Sequence, residues 1–232
     1  MLYIVSTPIG NMQDITLRAI TTLEKVDEVI CEDTRVTGGL LKHFNISKKL
    51  TPLNDFNEDQ LIPQVIAKLE KGLHLALVSD AGTPLISDPG FRLVREVKKR
   101  SLPVTSIPGV SSVISALTLS TLPPDKFMFI GFLPKGIEKK KNVLEKLKTS
   151  LMVLDSNKLS PTVIYFESPH SLLDSLEALE ATFGDIEVVV TREITKIYEE
   201  VVRLPTSQLK KHFAEKKPKG EFVILFNPKA TL

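Results

Sequence analysis

The chain has 232 residues, 42% hydrophobic and 25% charged, with a formal net charge of +2. That suits one large or two small globular domains and argues against long disorder, while the mild basicity admits an anionic partner without requiring one. The single cysteine, Cys31, excludes an intrachain disulfide and fits a reducing, cytoplasmic setting; no apolar run reaches the ~18 residues needed to span a membrane, and 6% aromatics with no Trp give little material for a base-stacking surface.

Met1-Leu2-Tyr3-Ile4-Val5 carries no basic leader or cleavage site, so it reads as a first strand (residues 2–6) closed by Pro8 and Gly10, and not as a signal peptide. Asp14 is placed to cap a helix whose apolar positions include Ile15, Ala19, Leu23 and Val26. A strand over 28–31 follows, broken by Glu32-Asp33-Thr34-Arg35. Next come a helix around 40–44 and an extended piece at 49–53. A helix over 59–71 tolerates Pro63 in its first turn and ends at Gly72. A buried strand over 73–79 runs into Asp80-Ala81-Gly82-Thr83-Pro84. An amphipathic helix over 89–100 has Phe91, Val94 and Val97 on one stripe. A strand over 104–107 stops at Pro108-Gly109, and a helix covers 110–119.

Thr121-Leu122-Pro123-Pro124-Asp125 breaks this rhythm, so the expected domains are 1–121 and 122–232. The second half reads as a strand over 127–132, a lysine-rich helix over 135–148, and a strand over 162–166 ending at Glu167-Ser168-Pro169-His170. A helix carrying Leu172, Leu176, Leu179 and Phe183 follows, then strands over 187–191 and 199–204, a helix over 206–216 and a strand over 221–226. Both halves are α/β. The expected fold is two α/β/α-layered domains with a ligand cleft between them.

In open α/β sheets ligands bind beyond the carboxyl ends of the strands. Four polar turns, several of their residues small, follow predicted strands here: Thr7-Pro8-Ile9-Gly10-Asn11, Cys31-Glu32-Asp33-Thr34-Arg35, Ser79-Asp80-Ala81-Gly82-Thr83-Pro84 and Pro108-Gly109-Val110-Ser111-Ser112. If the strands are parallel, all four lie on one rim. Any one of them alone is more simply a turn closure. No dinucleotide fingerprint, P-loop, zinc-spaced ligand set or nucleophile elbow is present, so no metal is expected. His43, His74 and His212 read as surface or helix-face residues.

Taken in order, the first two turns, the stretch ALVSDAGTPLISDPGFRLVR at residues 76–95, Gly131-Phe132-Leu133-Pro134, Tyr165-Phe166-Glu167-Ser168-Pro169-His170, Arg192-Glu193-Ile194-Thr195-Lys196 and Pro218-Lys219-Gly220-Glu221-Phe222 carry a resemblance. Together they closely resemble the bacterial small-subunit (16S) rRNA (cytidine-2′-O-)-methyltransferase family, within the tetrapyrrole-methylase-fold superfamily, from Leu2 to about Asn227. Residues 79–90 are its most specific part. The chain departs from the family pattern at 54–58, at Val110 and at Ser171.

The resemblance implies S-adenosylmethionine bound in the cleft of a homodimeric, cytoplasmic enzyme whose partner is 16S rRNA in the 30S subunit. It assigns Pro8, Asp80, Ala81, Gly82, Thr83, Ser111, Ser112, Phe132 and Leu133 to the cofactor pocket, with Gly220 closing it from the second domain. For Phe132 and Leu133 the plainer alternative is core packing. A ribose hydroxyl is a weak nucleophile, and a proton acceptor within reach would help it. Glu32, Asp33, Asp80, Glu167, His170 and Glu193 are open candidates, with an Asp33–Arg35 ion pair as the alternative for that pair. For RNA, Arg35, Lys139, Lys140, Lys141 and Lys196 are the expected contacts. Lys139, Lys140 and Lys141 belong to one basic segment with Lys135, Lys146 and Lys148, and Lys210, Lys211, Lys216, Lys217 and Lys219 form another. A solvated helix face is the alternative there, and a tetrapyrrole or other small-molecule methylase is the alternative function.

Overall fold

The structure, a computed structural model, describes residues 1–215 and 219–229. Lys216, Lys217 and Pro218, singled out in the sequence, lie outside the described residues. The chain divides into two compact units, Met1–Ser111 and Ser112–Leu232.

The first unit alternates β1 (Leu2–Val5), α1 (Leu17–Lys25), β2 (Glu28–Cys31), α2 (Thr34–His43), β3 (Lys49–Pro52), α3 (Glu58–Glu70), β4 (Leu75–Val78), α4 (Phe91–Lys99) and β5 (Val104–Ile107). The strands form one sheet in the order β3-β2-β4-β1-β5, and every pairing is parallel. A parallel sheet must be covered on both faces, which is why its inner strands read as unbroken apolar runs. Leu2, Ile30, Leu75 and Leu77 pack under α3 and α4. Val5, Val29, Cys31, Ala76 and Val78 pack under α1 and α2.

Three local expectations are corrected. Asp14 does not cap α1: Asn11 closes a single 3-10 turn over Met12–Asp14, and the Thr16 side chain accepts the Ala19 N–H at 3.0 Å. The helix expected around 40–44 begins at Thr34, capped by Asp33. Gly38 and Gly39 depress helix propensity there, but burial of Thr37, Leu40 and Leu41 outweighs it. In α4 the buried stripe is Leu93 and Val97, while Phe91 is 63% exposed. Residues six apart on a helix point about 120° apart, whereas residues four apart share a face.

The second unit contains α5 (Ser112–Leu119), β6 (Phe127–Phe132), α6 (Ile137–Ser156), β7 (Thr162–Glu167), α7 (Leu172–Phe183), β8 (Glu187–Arg192), β9 (Glu200–Pro205), α8 (Thr206–Glu215) and β10 (Phe222–Phe226). Its sheet order is β6-β7-β10-β8-β9, with only β6 and β7 parallel. Side chains of α6, α7 and α8 share one core with Val163, Tyr165, Val188, Val190, Phe222, Ile224 and Phe226. No residue of α5 enters that core, and α5 packs on β10 and β7 from the other sheet face. This packing puts the unit boundary before α5, not after Thr121. Helix α6 runs on to Ser156, eight residues beyond the expected end at 148, and buried Leu151 anchors the extension. No helix among the described residues is long and apolar enough to cross a membrane.

Candidate functional site

Because β1, β2, β4 and β5 are parallel, the turns that follow them emerge at one edge of the first sheet. The turns bond to one another. Thr7 and Gly82 exchange backbone hydrogen bonds at 2.9 and 3.1 Å. The Thr7 hydroxyl donates to the Ser79 carbonyl at 3.2 Å. The Thr83 hydroxyl donates to the Val110 carbonyl at 2.9 Å and lies 3.1 Å from the Ser6 hydroxyl. Gly109 approaches so closely that a Cβ there would stand 2.9 Å from Ser6 Cβ.

The turn after β4 is the most strained part of this edge. Gly82 and Gly90 take φ of +81° and +113°, and Leu85 and Ser87 take +76° and +68° without being glycine. Non-glycine residues are held in that region only where surrounding contacts over-determine them, and such positions gather at ligand sites.

The edge is acidic. Glu32 is exposed as a residue, yet desolvation of its carboxyl by neighbouring atoms pushes it upward, reinforced by the charges of Asp80, Asp88, Asp55 and Asp33. Burial likewise raises Asp80, against the Asp33 N–H that its carboxylate accepts at 3.0 Å. Asp88 is pushed up to about 6, mainly by burial and also by Asp80, despite a hydrogen bond with Ser79. Asp33 is the exception, held at about 2 by its hydrogen bonds with Arg35. A cluster of carboxylates that resist ionising together favours a cation beside them. S-adenosylmethionine carries positive charge at its sulfonium and amino group, and the small, left-handed Gly82 lets backbone come close to a ligand. The edge therefore fits that cofactor in both charge and shape. No group of three or more metal-ligating side chains suited to a metal occurs among the described residues.

The remaining sequence-selected residues separate into several environments. Pro8, Ala81, Gly82, Thr83 and Asp80 lie on the edge just described. Ser111 ends the first unit and Ser112 opens α5. Phe132 is 58% exposed and leans on Phe166, with ring centres 5.4 Å apart. Leu133 is in the second unit's core, the plainer of its two readings. Gly220 sits against Glu193, where a Cβ would meet the Glu193 side chain at 2.5 Å.

Among the acid–base candidates, Asp33 caps α2 and grips Arg35 through both carboxylate oxygens, the ion-pair alternative. Glu167 is buried and paired with Lys140, and also accepts the Ser168 N–H at 2.8 Å. Glu193 accepts from Lys196 at 2.9 Å and from the Glu221 N–H at 3.0 Å. Glu32 and His170 are exposed and make no hydrogen bond or ion pair among the described residues.

The RNA contacts need one outright correction. Lys140 is fully buried and paired with Glu167, so it presents no charge to a phosphate. Every third or fourth residue of α6 turns inward, and Lys140, Leu144 and Leu151 share that inner face. Lys141 pairs with Glu138 at 3.1 Å, and Lys196 with both Glu193 and Glu221 at 2.9 Å. Lys139 is exposed. Nothing in the sequence separates Asp88 from the other residues of the most specific motif; its folded surroundings do, by raising its carboxyl to about 6.

The model of the tetrapyrrole (corrin/porphyrin) methylases matches residues 1–210. A diphthine synthase superposes with a TM-score of 0.73 at 15% identity, covering 100% of this chain and 90% of that one. A uroporphyrin-III-C-methyltransferase from Thermus thermophilus superposes at 0.64 with 18% identity, over 97% and 93%. These two likenesses show the fold alone. Fold and edge together define a methylase of the tetrapyrrole-methylase class, and its cofactor is S-adenosylmethionine.

Relatives named ribosomal RNA small subunit methyltransferase I are much more similar in sequence. The one from Vibrio cholerae is 46% identical over 97% of this chain and 76% of its own length. The one from Thermotoga maritima is 41% identical over 98% of both. The chain belongs to the ribosomal RNA small subunit methyltransferase I family.

Proposed function

We propose that this protein methylates the 2′-hydroxyl of a cytidine ribose in 16S rRNA, acting in the cytoplasm on the 30S subunit as a homodimer. The observation that carries this reading is the 46% identity over 97% of the chain to a relative named for small-subunit ribosomal RNA. The ordered set of motifs, from Cys31-Glu32-Asp33-Thr34-Arg35 to Glu167-Ser168-Pro169-His170, supports it.

When bound, the cofactor supplies a methyl group already activated by a sulfonium. The protein's task is alignment and proton removal. Pro8, Asp80, Ala81, Gly82 and Thr83 would hold the cofactor, with Asp80 and Asp88 offsetting its positive charge. Ser111, Ser112, Phe132 and Gly220 remain assigned to the pocket by family resemblance. Glu32 is our choice of proton acceptor for the ribose hydroxyl. It shares the edge with the cofactor residues, its side chain is uncommitted, and its raised pKa makes it a better base than an ordinary carboxylate. The other carboxylates in the set are held by Arg35, Lys140 or Lys196, or by the Asp33 N–H.

The deciding experiment incubates the protein with labelled cofactor and 30S subunits that lack the modification, then digests the RNA to nucleosides. Label in 2′-O-methylcytidine supports the proposal. Label on a base, or transfer only to a tetrapyrrole, overturns it. Glu32→Gln should lower kcat by roughly a hundredfold, within the usual range for a lost general base, with cofactor affinity retained.

A further inference from the structure

Of the lysines that the sequence offered to RNA, Lys140, Lys141, Lys196 and Lys210 are held by carboxylates; outside that set, two unpaired lysines border a groove. Lys42, in the last turn of α2, and Lys48, just before β3, form no ion pair or side-chain hydrogen bond among the described residues. Both line an open groove of about 440 Å³ on the flank of the first unit. Its floor is apolar, made by Leu41, Ile46 and Leu50. Asn45 and Ser47 stand on its margin, exposed and with uncommitted side chains. The left-handed backbone at Asn45, φ +57°, makes the sharp turn between helix and strand.

Among the described residues no acidic side chain lines the groove. The carboxylate on the neighbouring strand, Glu28, shares the alternation of Ile30 and turns to the opposite sheet face, where Lys68, Lys49 and Thr51 bind it. At Gly38 the helix offers the groove no side chain; a Cβ there would lie 3.7 Å from Leu50 Cδ1, in ordinary contact. Helix α2 starts at the acidic edge, where Asp33 caps it, and ends at this groove. Its ten residues separate the two by about 15 Å.

A nucleotide alternates a flat, largely apolar base with an anionic phosphate. The groove has the matching pattern: an apolar floor between two unpaired cations, with an amide and a hydroxyl at the rim. We infer that the groove between α2 and β3 binds one nucleotide of a single-stranded RNA segment, with flanking phosphates on Lys42 and Lys48. The base or ribose lies on Leu41, Ile46 and Leu50, and Asn45 and Ser47 hydrogen-bond its edge. This rests on the proposed RNA substrate and adds to it a second point of grip, remote from the reacting ribose.

The test compares the parent, Lys42→Ala/Lys48→Ala, Lys42→Arg/Lys48→Arg and Gly38→Leu. Each is titrated with 30S subunits and with protein-free 16S rRNA across a salt series, and cofactor affinity is measured in parallel. Loss of two phosphate contacts to a single strand should make the log–log salt dependence shallower by about 1.4. The alanine pair should bind both RNAs roughly tenfold more weakly at low salt and raise KM for the subunit while keeping kcat and cofactor affinity. The arginine pair should behave like the parent. Gly38→Leu fills the groove without changing charge, so it should lose affinity while keeping the parent's salt slope. An alanine pair with parental affinity and slope overturns the inference. So does a loss seen with 30S subunits but not with protein-free RNA, which would make the occupant a ribosomal protein. A parent protein that binds neither RNA and transfers no methyl group overturns the proposed function itself, a result distinct from a working parent with an unaffected variant.

Discussion

The Asp80 carboxylate accepts the backbone N–H of Asp33 at 3.0 Å, and Asp33 in turn accepts the Arg35 N–H at 2.8 Å as the cap of α2. Two turns that follow neighbouring strands are thereby joined by one chain of hydrogen bonds. The carboxylate that belongs to the cofactor turn also fixes the start of the helix leading to the lysine-bordered groove. Sequence spacing of 47 residues hides this connection; the parallel pairing of β2 with β4 creates it.

Replacing Asp80 with alanine removes that acceptor and one carboxylate beside the proposed cofactor position. A hydrogen bond to a charged group contributes about 1.5–3 kcal/mol, so cofactor affinity should fall at least roughly tenfold. Asp80→Asn keeps an acceptor oxygen and should lie between the alanine variant and the parent. Isothermal calorimetry with chelator present measures both; parental affinity in Asp80→Ala would remove Asp80 from the cofactor site.

Lys140 and Glu167 form a buried ion pair, so removing one partner should cost much more than removing both. Lys140→Met alone strands a buried carboxylate, and a loss of about 3–5 kcal/mol is expected. Lys140→Met/Glu167→Leu should recover most of it. Urea unfolding of the two variants checks this. If Lys140→Met unfolds like the parent, the side chain is not paired as described.

Asp88 gives a signed pH effect. Its folded pKa of about 6 lies above the ordinary aspartate value, so between about pH 4 and 6 the folded state binds more protons than the unfolded state. Stability must therefore fall as pH rises through that window and level off above it. Asp88→Asn cannot ionise and should lack this decline. The difference in melting temperature, variant minus parent, should grow from pH 4 to 6 and then stay constant; a constant difference throughout would mean that Asp88 titrates normally.

Gly220→Ala meets two obstacles: a left-handed φ of +96° and the Glu193 side chain 2.5 Å from the new Cβ. A destabilisation of roughly 1–3 kcal/mol is expected from the backbone alone. The hydrogen bond from the Glu221 N–H to Glu193 should loosen at the same time. Chemical denaturation gives the first quantity and amide exchange at Glu221 the second. Unchanged exchange protection would separate Gly220 from Glu193.

The order and type of nearly every element were legible in the sequence, because strands such as Leu2–Val5 and Leu75–Val78 are short apolar runs closed by polar, glycine-bearing turns. The four-turn edge was legible for the same reason, once the strands are parallel. Helix starts were less so, since Asp14 and Thr16 are both good caps and only the 3-10 turn closed by Asn11 decides between them. What the sequence left unresolved was which charges are in use. Lys139, Lys140 and Lys141 read as one basic run, yet the helix turns Lys140 inward onto Glu167 and leaves its neighbours outward. In the sequence Lys42 stands alone and Lys48 is only half of the Lys48-Lys49 pair, so nothing local marks them. Folding brings α2 and β3 together around them and points Glu28 to the other face of the sheet. A local pattern can specify a residue's own backbone state, but its electrostatic partners come from segments tens of residues away, and only the packed sheet and helices bring those together.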